Sequence, residues 1–454
     1  MTQRPPTQTP TQEAAYLEAY ESLRNDGYAH DPDWAQTLRA DAIGKFKEMG
    51  FPIARRGNEE WKYTDIRSIA TTPFHLPDSP ATLDLPDRRL RSVALGRLDW
   101  NRLAFVDGVY SERLSSLQSL PEGVRVVNLA EAMRSSSDIV QEYLARHADY
   151  QANPFVALNT AFMHDGALVS IPDGAIVEEP IHLLFISTGK QETVSNPRVL
   201  LVTGKDSSAT VIESYATLAQ GRYFTNSVTE VLPGPGAALR YYKVQQQSDK
   251  AFHITNTRVV MPRDASFSSV NIDLGGRLTR NNLDVLITGE GASVNLTGLY
   301  MPTGVQHVDN QVIVDHAVGH TTARELYKGI LNGKSRSVFH GSIIVREKAV
   351  KVDAIQEDKN LLLSDGAEAD TKPAFWIYCD DVKCAHGAAC GQIDEDVLFY
   401  LRSRGLSDTA ARHLLVQGFV ADIIGSIRYE PLRVKIDALV KARLARWLGA
   451  EEAA

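Results

Sequence analysis

Cysteine is scarce in this chain, with three residues among 454. An odd number of thiols argues against the disulfide framework that small secreted domains use in place of a large core. No apolar run is long enough to span a membrane, and residues 1–11 lack the basic and apolar segments of a secretory signal. These absences predict a cytoplasmic protein that keeps its thiols reduced and does not enter a membrane.

Basic residues are also fewer than acidic residues, so the formal net charge is -8. The basic surface that marks nucleic-acid-binding proteins is therefore not expected. Hydrophobic residues make up 43% of the chain and charged residues 23%, as in ordinary globular proteins. Aromatic residues reach only 8%, which does not favour the aromatic groove of a carbohydrate-active enzyme.

The spacing of apolar residues changes twice along the chain. Apolar residues recur at helical spacing near the start, at Ala14, Leu17 and Tyr20, and helical periodicity is then lost for over 200 residues beyond Phe155. Short apolar or alternating runs separated by Gly, Pro and Asp replace it and are typical of strands. The predicted organisation is a disordered tail (1–12), an N-terminal helical and mixed domain (13–150), a β-helix core (151–392) and a C-terminal helical domain (393–454).

A weak repeat runs through the β region. Four similar strings of a Gly or Asp, a small pair and an apolar residue start at positions 206, 236, 264 and 291, which are 30, 28 and 27 residues apart. A near-constant period of strand–turn units predicts a solenoid, with roughly eight to ten turns at about 20–30 residues each. The Gly or Asp is expected at a corner where φ is positive. A β-sandwich with long meanders is the alternative.

Helix signals return at the C-terminal end. Asp394 is placed as an N-cap, Gly405 as a stop, and Ser407 as the cap of a longer helix. Pro431 stands where a last helix would begin, a position that proline favours. A helical module at the end of a solenoid either covers the open end or docks a partner.

A glycine-rich segment ending in Gly333-Lys334-Ser335 resembles a nucleotide-binding P-loop but lacks its spacing. Only three residues separate Gly329 from Gly333, where four are needed. The residues after Ser335 keep the apolar pattern of a strand and do not predict a helix. A P-loop requires a following helix whose N-terminus holds phosphate. ATP binding by this chain is therefore not expected.

Two further clusters have ordinary explanations. His307, His316 and His320 fall close together, and the last two would share a face of a strand. Metal binding there would need a third convergent ligand, such as Asp309 or Asp315, and otherwise the histidines are corner residues. Acidic and basic residues around position 355 resemble the acid–base groups of β-helical lyases, but a solvated charged face is the favoured explanation. That second cluster contains Lys351, Asp353, Glu357, Asp358 and Lys359.

All three cysteines lie within one short segment. Its C-x4-C-x5-C spacing is neither a zinc-finger nor a ferredoxin pattern. On a strand, Cys384 and His386 would point to the same side, where a thiolate and an imidazole could share a soft metal or sulfane sulfur. His386 and Lys383 could also lower the pKa of the Cys384 thiol. Cys379 and Cys390 are interpreted as small hydrophobic residues filling a core.

Several long motifs, in order, resemble the SufB/SufD family of iron–sulfur cluster assembly proteins over nearly the whole chain beyond the N-terminal helices. Three motifs resemble the SufD branch: Glu59-Glu60-Trp61-Lys62-Tyr63-Thr64, Ala157-Leu158-Asn159-Thr160-Ala161-Phe162 and Glu178-Glu179-Pro180-Ile181-His182. The others are Asn332-Gly-Lys-Ser-Arg-Ser-Val-Phe-His340-Gly, Lys351-Val-Asp353-Ala-Ile-Gln356, Asn360-Leu-Leu-Leu-Ser-Asp365, Asp370-Thr-Lys-Pro373, Asp380-Asp-Val-Lys-Cys384-Ala-His386-Gly387-Ala388 and Leu398-Phe-Tyr-Leu-Arg402-Ser-Arg404-Gly405.

The resemblance implies a mainly β fold, a right-handed parallel β-helix flanked by N-terminal and C-terminal helices. It implies a complex with a SufB-like paralogue joined at the β-helix, near Cys384 and His386, with His386 as a tentative metal ligand. It also implies a SufC-like ABC-type ATPase docked on the C-terminal helices. The docking residues expected there are Leu398, Tyr400, Leu401, Arg402 and Phe419.

The resulting prediction is a non-catalytic scaffold in the SUF system that holds an iron–sulfur cluster only transiently, within the complex, and binds no cofactor stably alone. An isolated chain is expected to dimerise through its exposed β edge. Two alternatives from other classes are a β-helical carbohydrate-active enzyme and a stand-alone metal-binding protein.

Overall fold

The structure is a computed structural model that describes residues 12–28, 31–54, 58–77, 85–95, 100–118, 120–135 and 137–449. Of the tail predicted as disordered, residues 1–11 lie outside these ranges. No helix in the described ranges is long and apolar enough to cross a membrane.

Helices dominate the first part of the described chain. The first two pack their apolar faces on the seventh, where the ring of Tyr16 lies 6.1 Å from those of both Phe46 and Phe162. The seventh helix begins after Asn153, whose side chain accepts the backbone N–H groups of two first-turn residues. The helices are α1 (Glu13–Asp26), α2 (Asp33–Met49), α3 (Arg67–Ala70), α4 (Asp87–Val93), α5 (Leu129–Ser135), α6 (Ser137–Tyr143) and α7 (Pro154–Phe162).

Strands supply most of the rest. In chain order they are β1 (Asn101–Val106), β2 (Val109–Tyr110), β3 (Arg125–Asn128), β4 (Gly166–Ile171), β5 (Ile181–Ser187), β6 (Val194–Ser195), β7 (Arg198–Thr203), β8 (Ser208–Thr217), β9 (Phe224–Leu232), β10 (Ala238–Gln246), β11 (Phe252–Met261), β12 (Ser266–Asp273), β13 (Leu278–Ile287), β14 (Ser293–Tyr300), β15 (His307–His316), β16 (Thr322–Leu331), β17 (Arg336–Val345), β18 (Asp353–Leu362), β19 (Glu368–Ile377) and β20 (Lys383–Gly391).

The strands form two sheets, and each turn of the chain adds one strand to each sheet. The first sheet has the order β2-β1-β5-β8-β10-β12-β14-β16-β18-β20, and the second runs from β19 through the odd-numbered strands β17 to β7 and ends with β4 and β3. Neighbours are parallel except in the pairs β1–β2 and β3–β4. The chain is therefore a parallel β-helix of about eight turns, as predicted, and the β-sandwich alternative is wrong.

The sheets begin earlier than the predicted core boundary at residue 151. Strand β1 pairs in parallel with β5, and β3 pairs with β4. The segment 101–128 thus belongs to the sheets, although the sequence places it in a mixed N-terminal domain. That boundary is a correction, because a pairing between strands about 80 residues apart leaves no local signal in the sequence.

The corners of the solenoid match the repeat. The backbone φ angle is positive at Asp206, Gly236, Asp264 and Gly291, the four positions where the repeat starts. Ser208, Ala238, Ser266 and Ser293, two residues after those corners, are paired in register along the first sheet. Positive φ angles at His320 and Lys351 continue the series in residue types that the repeat does not include.

The interior of the solenoid is apolar along one side and polar along the other. Phe267, Val294 and Val314 belong to the apolar cluster that runs through successive turns. Along the polar side, Glu213 accepts hydrogen bonds from the hydroxyls of Tyr215 (2.6 Å) and Tyr241 (2.7 Å). Buried polar groups are stable only when they are hydrogen-bonded, so this side is held together by bonds between turns.

Three C-terminal helices follow the solenoid: α8 (Glu395–Ser403), α9 (Asp408–Ser426) and α10 (Glu430–Leu448). The side chains of Asp394 and Ser407 cap α8 and α9, and Pro431 lies in the first turn of α10, as predicted. The helices α9 and α10 pack on the outer face of the first sheet, where Lys328 Nζ lies 2.7 Å from an Asp422 oxygen. They cover a face of the solenoid, while β20 remains exposed.

Candidate functional site

The predicted site lies at the open end of the solenoid. Strand β20 is the last of the first sheet and pairs with β18, and β19 is the last of the second sheet and pairs with β17. Most residues of β20 are exposed. Because a terminal strand presents unpaired N–H and C=O groups, this end is a template for another strand.

Cys384 and His386 share the inward face of β20. In the register with β18, Cys384 pairs with Ala354 and His386 with Gln356, and both of those partners are fully buried. Residues two apart on a strand point to the same side, so Cys384 and His386 both project toward the interior at its open end. The expected same-side arrangement is confirmed.

An aromatic ring supports the His386 imidazole. Its centroid lies 4.4 Å from the ring centroid of Phe375 on β19, with an angle of 38° between the planes. Within the described residues, neither nitrogen of the imidazole has a hydrogen-bond partner. The ring is thus held by packing, and its nitrogens remain available to a ligand or a partner chain.

The Cys384 thiol is less acidic than the sequence suggests. Burial raises its pKa above the usual value; a backbone hydrogen bond at Ala354 opposes this, and the Asp353 carboxylate adds to the rise. The prediction that His386 and Lys383 lower this pKa is wrong, because partial burial dominates and Lys383 begins the strand with its side chain on the opposite face. The thiol is therefore protonated at neutral pH in the isolated chain.

The other two cysteines differ from each other. Cys379 is half-buried and packs against the apolar interior, as predicted. Cys390 is exposed, so its interpretation as core filling is wrong. It pairs with Asn360 and lies on the same inward face as Cys384, but no further turn covers it. Burial and the nearby Asp358 carboxylate raise the pKa of the Cys390 thiol.

No other described residue completes a metal site at the open end of the solenoid. Among the residues that the structure describes, no group of three or more His, Cys, Asp and Glu side chains could hold a metal ion. His307 contacts Thr64 through Nε2 (3.0 Å), whereas His316 contacts Thr321 at the other end of β15. The three histidines therefore do not form the metal site that the sequence left open.

The two other motifs resembling enzyme sites are also not assembled. The P-loop-like segment connects β16 directly to β17, and no helix follows Ser335. In the acidic cluster Asp358 is fully buried and points inward, while Glu357 points outward. The carboxylates of Asp358 and Glu357 therefore do not converge on a common groove, as the acid–base groups of a β-helical lyase would.

The predicted docking residues are only partly on the surface. Leu398 is 1% exposed and is too buried to contact a partner, whereas Phe419 is half-buried and packs against Lys328. Tyr400 and Arg402 are exposed. The sequence analysis missed Phe399, which is 72% exposed and forms an outward apolar face of α8 with Val397 and Tyr400. Helical spacing from the buried Leu398 is the signal that could have located this face.

Two protein-family models match this chain, one over its N-terminal region and one over its core. A family model described as SufBD protein N-terminal region matches residues 10–183. A second, described as SUF system FeS cluster assembly, SufBD core domain, matches residues 185–419. The chain belongs to the SufBD family.

Individual SufBD relatives align over almost the full chain. An iron–sulfur cluster assembly SufBD family protein of Synechocystis is 30% identical over 413 residues, 89% of this chain and 89% of that protein. The iron–sulfur cluster assembly protein SufD of Escherichia coli is 30% identical over 396 residues, 86% of this chain and 89% of that protein. SufD of Bacillus subtilis is 23% identical over 422 residues, covering 91% and 95% respectively. SufBD membership supports a role in iron–sulfur cluster assembly.

Proposed function

We propose that this chain is a non-catalytic scaffold subunit for iron–sulfur cluster assembly, and that a SufB-like paralogue binds at its open end. The observation that carries the proposal is the exposed last turn of the β-helix. Edge pairing would extend the first sheet from β20 into the partner, a common mode of protein–protein recognition. The apolar residues exposed at this end, Trp376, Ile377 and Tyr378, would be buried by the same partner.

In this proposal Cys384 and His386 supply one part of a site for a transient cluster, which is the cargo of the complex. Thiolate and imidazole are ligands that suit iron, but two ligands are too few to hold a cluster. The SufB-like paralogue would supply the others. Since the Cys384 thiol is protonated in the isolated chain, ligation would have to release a proton. Ligation would therefore be favourable only within the assembled complex, where the paralogue supplies the other ligands.

The C-terminal helices are proposed to dock a SufC-like ABC-type ATPase. The exposed face of α8, with Phe399, Tyr400 and Arg402, offers aromatic and arginine side chains, which protein interfaces favour. ATP hydrolysis would belong to that partner, because the P-loop-like segment of this chain is not followed by a helix.

A cytoplasmic location is part of the proposal, since the three unpaired cysteines would stay reduced there. An isolated chain would use the same β20 edge to pair with a second copy. A homodimer would then form when the paralogue is missing and dissociate when the paralogue is supplied.

A substitution at the open end tests the partner site. Tyr378→Asp places a charge on a side chain that is 63% exposed, so it should leave the fold intact but prevent recovery of the SufB-like paralogue in co-purification. Ile176→Asp is the matched control, since Ile176 is also 63% exposed but lies just before β5, several turns away. Equal recovery of the paralogue with both variants would exclude the open end as its binding site.

A second pair of variants tests the cluster-handling residues. His386→Ala should lower cluster yield in the reconstituted complex at least several-fold, because it removes a ligand or proton-handling group. Cys379→Ala should leave the yield near that of the wild type, since Cys379 packs against the interior. Iron and sulfide analysis of the complex gives the yield, and wild-type values for both variants would contradict the assignment.

A further inference from the structure

A pocket of about 370 Å³ lies on the outer face of the first sheet, beside the connection between α9 and α10. Its floor contains Arg240 on β10, Ser268 on β12 and Asn295 on β14, which are neighbours in register. Its wall contains Ser426, the last residue of α9, and Arg428. Small-molecule sites have volumes of about 300–1,000 Å³, so this pocket has room for a small organic ligand.

Hydrogen bonds fix the wall of the pocket to its floor. The backbone N–H of Arg428 donates to the hydroxyl of Tyr242 on β10, at 3.1 Å. The hydroxyls of Ser426 and of Thr297 on β14 lie 3.4 Å apart. Between the two wall residues, Ile427 is 2% exposed and packs in the apolar cluster beneath the helices. The pocket is therefore formed before any ligand binds, which removes the cost of ordering a mobile loop.

The side chains that can donate into the pocket have no partners within the protein. Four of them are exposed: Arg240, Ser268, Asn295 and Arg428. In the part of the chain that the structure describes, none of these four side chains forms a hydrogen bond or an ion pair. A guanidinium carries five N–H donors and no acceptor, in a fork that matches phosphate and carboxylate oxygens. The pocket thus offers its donors to a ligand rich in acceptors.

The pocket is positively charged, although the chain as a whole is acidic. Its described lining residues include two arginines and no Asp or Glu. Carboxylates that lie close by in the sequence are paired with other cations: Glu430 with Arg433 at 3.4 Å and Asp422 with Lys328 at 2.7 Å. A cleft lined by one sign of charge raises the local concentration of ions of the opposite sign. This pocket is therefore suited to an anion.

We propose that the pocket binds a small phosphate-bearing molecule, held by Arg240 from the sheet and Arg428 from the α9–α10 connection. A phosphate group carries a charge of about −1.5 to −2 at pH 7 and has three acceptor oxygens, so one group can accept from both guanidinium groups. Ser268 and Asn295 donate to the remaining oxygens. The bound ligand ties the C-terminal helices to the solenoid, at a place remote from the open end.

Calorimetric titration of the isolated full chain with inorganic pyrophosphate tests this site, with chloride at matched ionic strength as the background. The wild type should show saturable binding at a single site. Arg240→Gln and Arg428→Gln should each weaken binding by about tenfold or more, because each removes charge-assisted hydrogen bonds. Ser268→Asp should also weaken it, since a carboxylate on the floor repels the anion. All three side chains are exposed, so thermal unfolding without pyrophosphate should match that of the wild type.

Arg263→Gln is the matched control for the two arginine variants. Arg263 is exposed and lies between β11 and β12, but it pairs with Glu290 and does not line the pocket. The variant changes the net charge of the chain by the same amount, so it should bind pyrophosphate as the wild type does. Hydrogen exchange gives a second measurement: pyrophosphate should slow exchange of the Arg428 backbone N–H in the wild type but not in Arg240→Gln.

Two results would overturn the inference. One is the absence of saturable binding by the wild type. The other is an equal weakening in Arg263→Gln, which would show general attraction to surface charge instead of a site. Neither measurement needs a partner chain or a cluster, so their outcome is independent of the proposed scaffold function.

Discussion

At the scale of single residues, buried charges are held by partners contributed from other turns and from the N-terminal helical region. Arg198 on β7 bonds Glu230 on β9 at 2.5 Å, and both side chains are completely buried. Glu230 also accepts the backbone N–H groups of Ala145, His147 and Ala148. A buried pair of this kind contributes mainly through the penalty that appears when one partner is lost.

Glu230→Gln should therefore destabilise the fold by about 3–5 kcal/mol at neutral pH. Burial alone would raise the pKa of Glu230, but the Arg198 guanidinium and the backbone hydrogen bonds hold it below its usual value. The stabilisation is thus complete above the unfolded-state pKa and is lost as the pH falls through the lower, folded-state pKa. Denaturant unfolding of wild type and variant at neutral and acid pH measures both effects.

The surface pair Arg263–Glu290 provides the control for Glu230. Its nitrogen and oxygen lie 2.9 Å apart, but both side chains are exposed. Glu290→Gln should change stability by no more than about 1 kcal/mol, because solvent screens the pair. A similar loss in both variants would mean that burial does not set the value of the ion pair.

At the scale of elements, the corners rather than the strands limit which sequences this solenoid accepts. Adjacent turns approach so closely that some corner positions have no room for a side chain. A Cβ added at Gly289 would lie 1.9 Å from the backbone nitrogen of Arg263 on the preceding turn. Since backbone atoms cannot rotate away, the turns themselves would have to separate.

Gly289→Ala should consequently destabilise the protein by about 1–3 kcal/mol, the usual cost of overpacking. Gly44→Ala is a suitable comparison, because Gly44 lies within α2 and a Cβ there meets nothing within 4 Å. That substitution should stabilise by about 0.5–1 kcal/mol through helix propensity. Thermal unfolding of the two variants would contradict the close-approach argument if their effects had the same sign.

At the scale of the whole molecule, a solenoid transmits stability only between neighbouring turns. Central strands such as β11 and β13 are paired on both sides, whereas β20 is paired on one side and mostly exposed. The end of the solenoid that carries Cys384 and His386 thus has fewer neighbours than its centre. A partner strand would supply the hydrogen bonds to β20 that a further turn of the solenoid would otherwise make.

Hydrogen exchange should reveal this gradient. Backbone amides of β19 and β20 should exchange faster than those of β11 and β13, because opening the last turn breaks fewer contacts. Binding of the proposed SufB-like paralogue should slow exchange at β20 and leave β11 unchanged. Uniform protection along the solenoid of the isolated chain would contradict the nearest-neighbour account of its stability.

Local signals were the most reliable guide to this fold. The repeat located the positive-φ corners at Asp206, Gly236, Asp264 and Gly291, and the caps Asp394 and Ser407 located two helices. Each of these depends on one residue and its immediate backbone. By contrast, the exposure of Cys390 and the burial of Leu398 depend on whether another segment covers them, which a residue's own sequence context does not reveal.

The sequence by itself determined the solenoid, its period, the helical ends and the side shared by Cys384 and His386, because strand alternation and corner chemistry are local properties of the chain. Only the tertiary structure decided where the sheets begin, how burial changes the acidity of Cys384, and that Arg240 lies in one row with Ser268 and Asn295. Those features arise from stacking residues that are about 30 positions apart in the chain, and the physical environment of each is set by the turn above and the turn below.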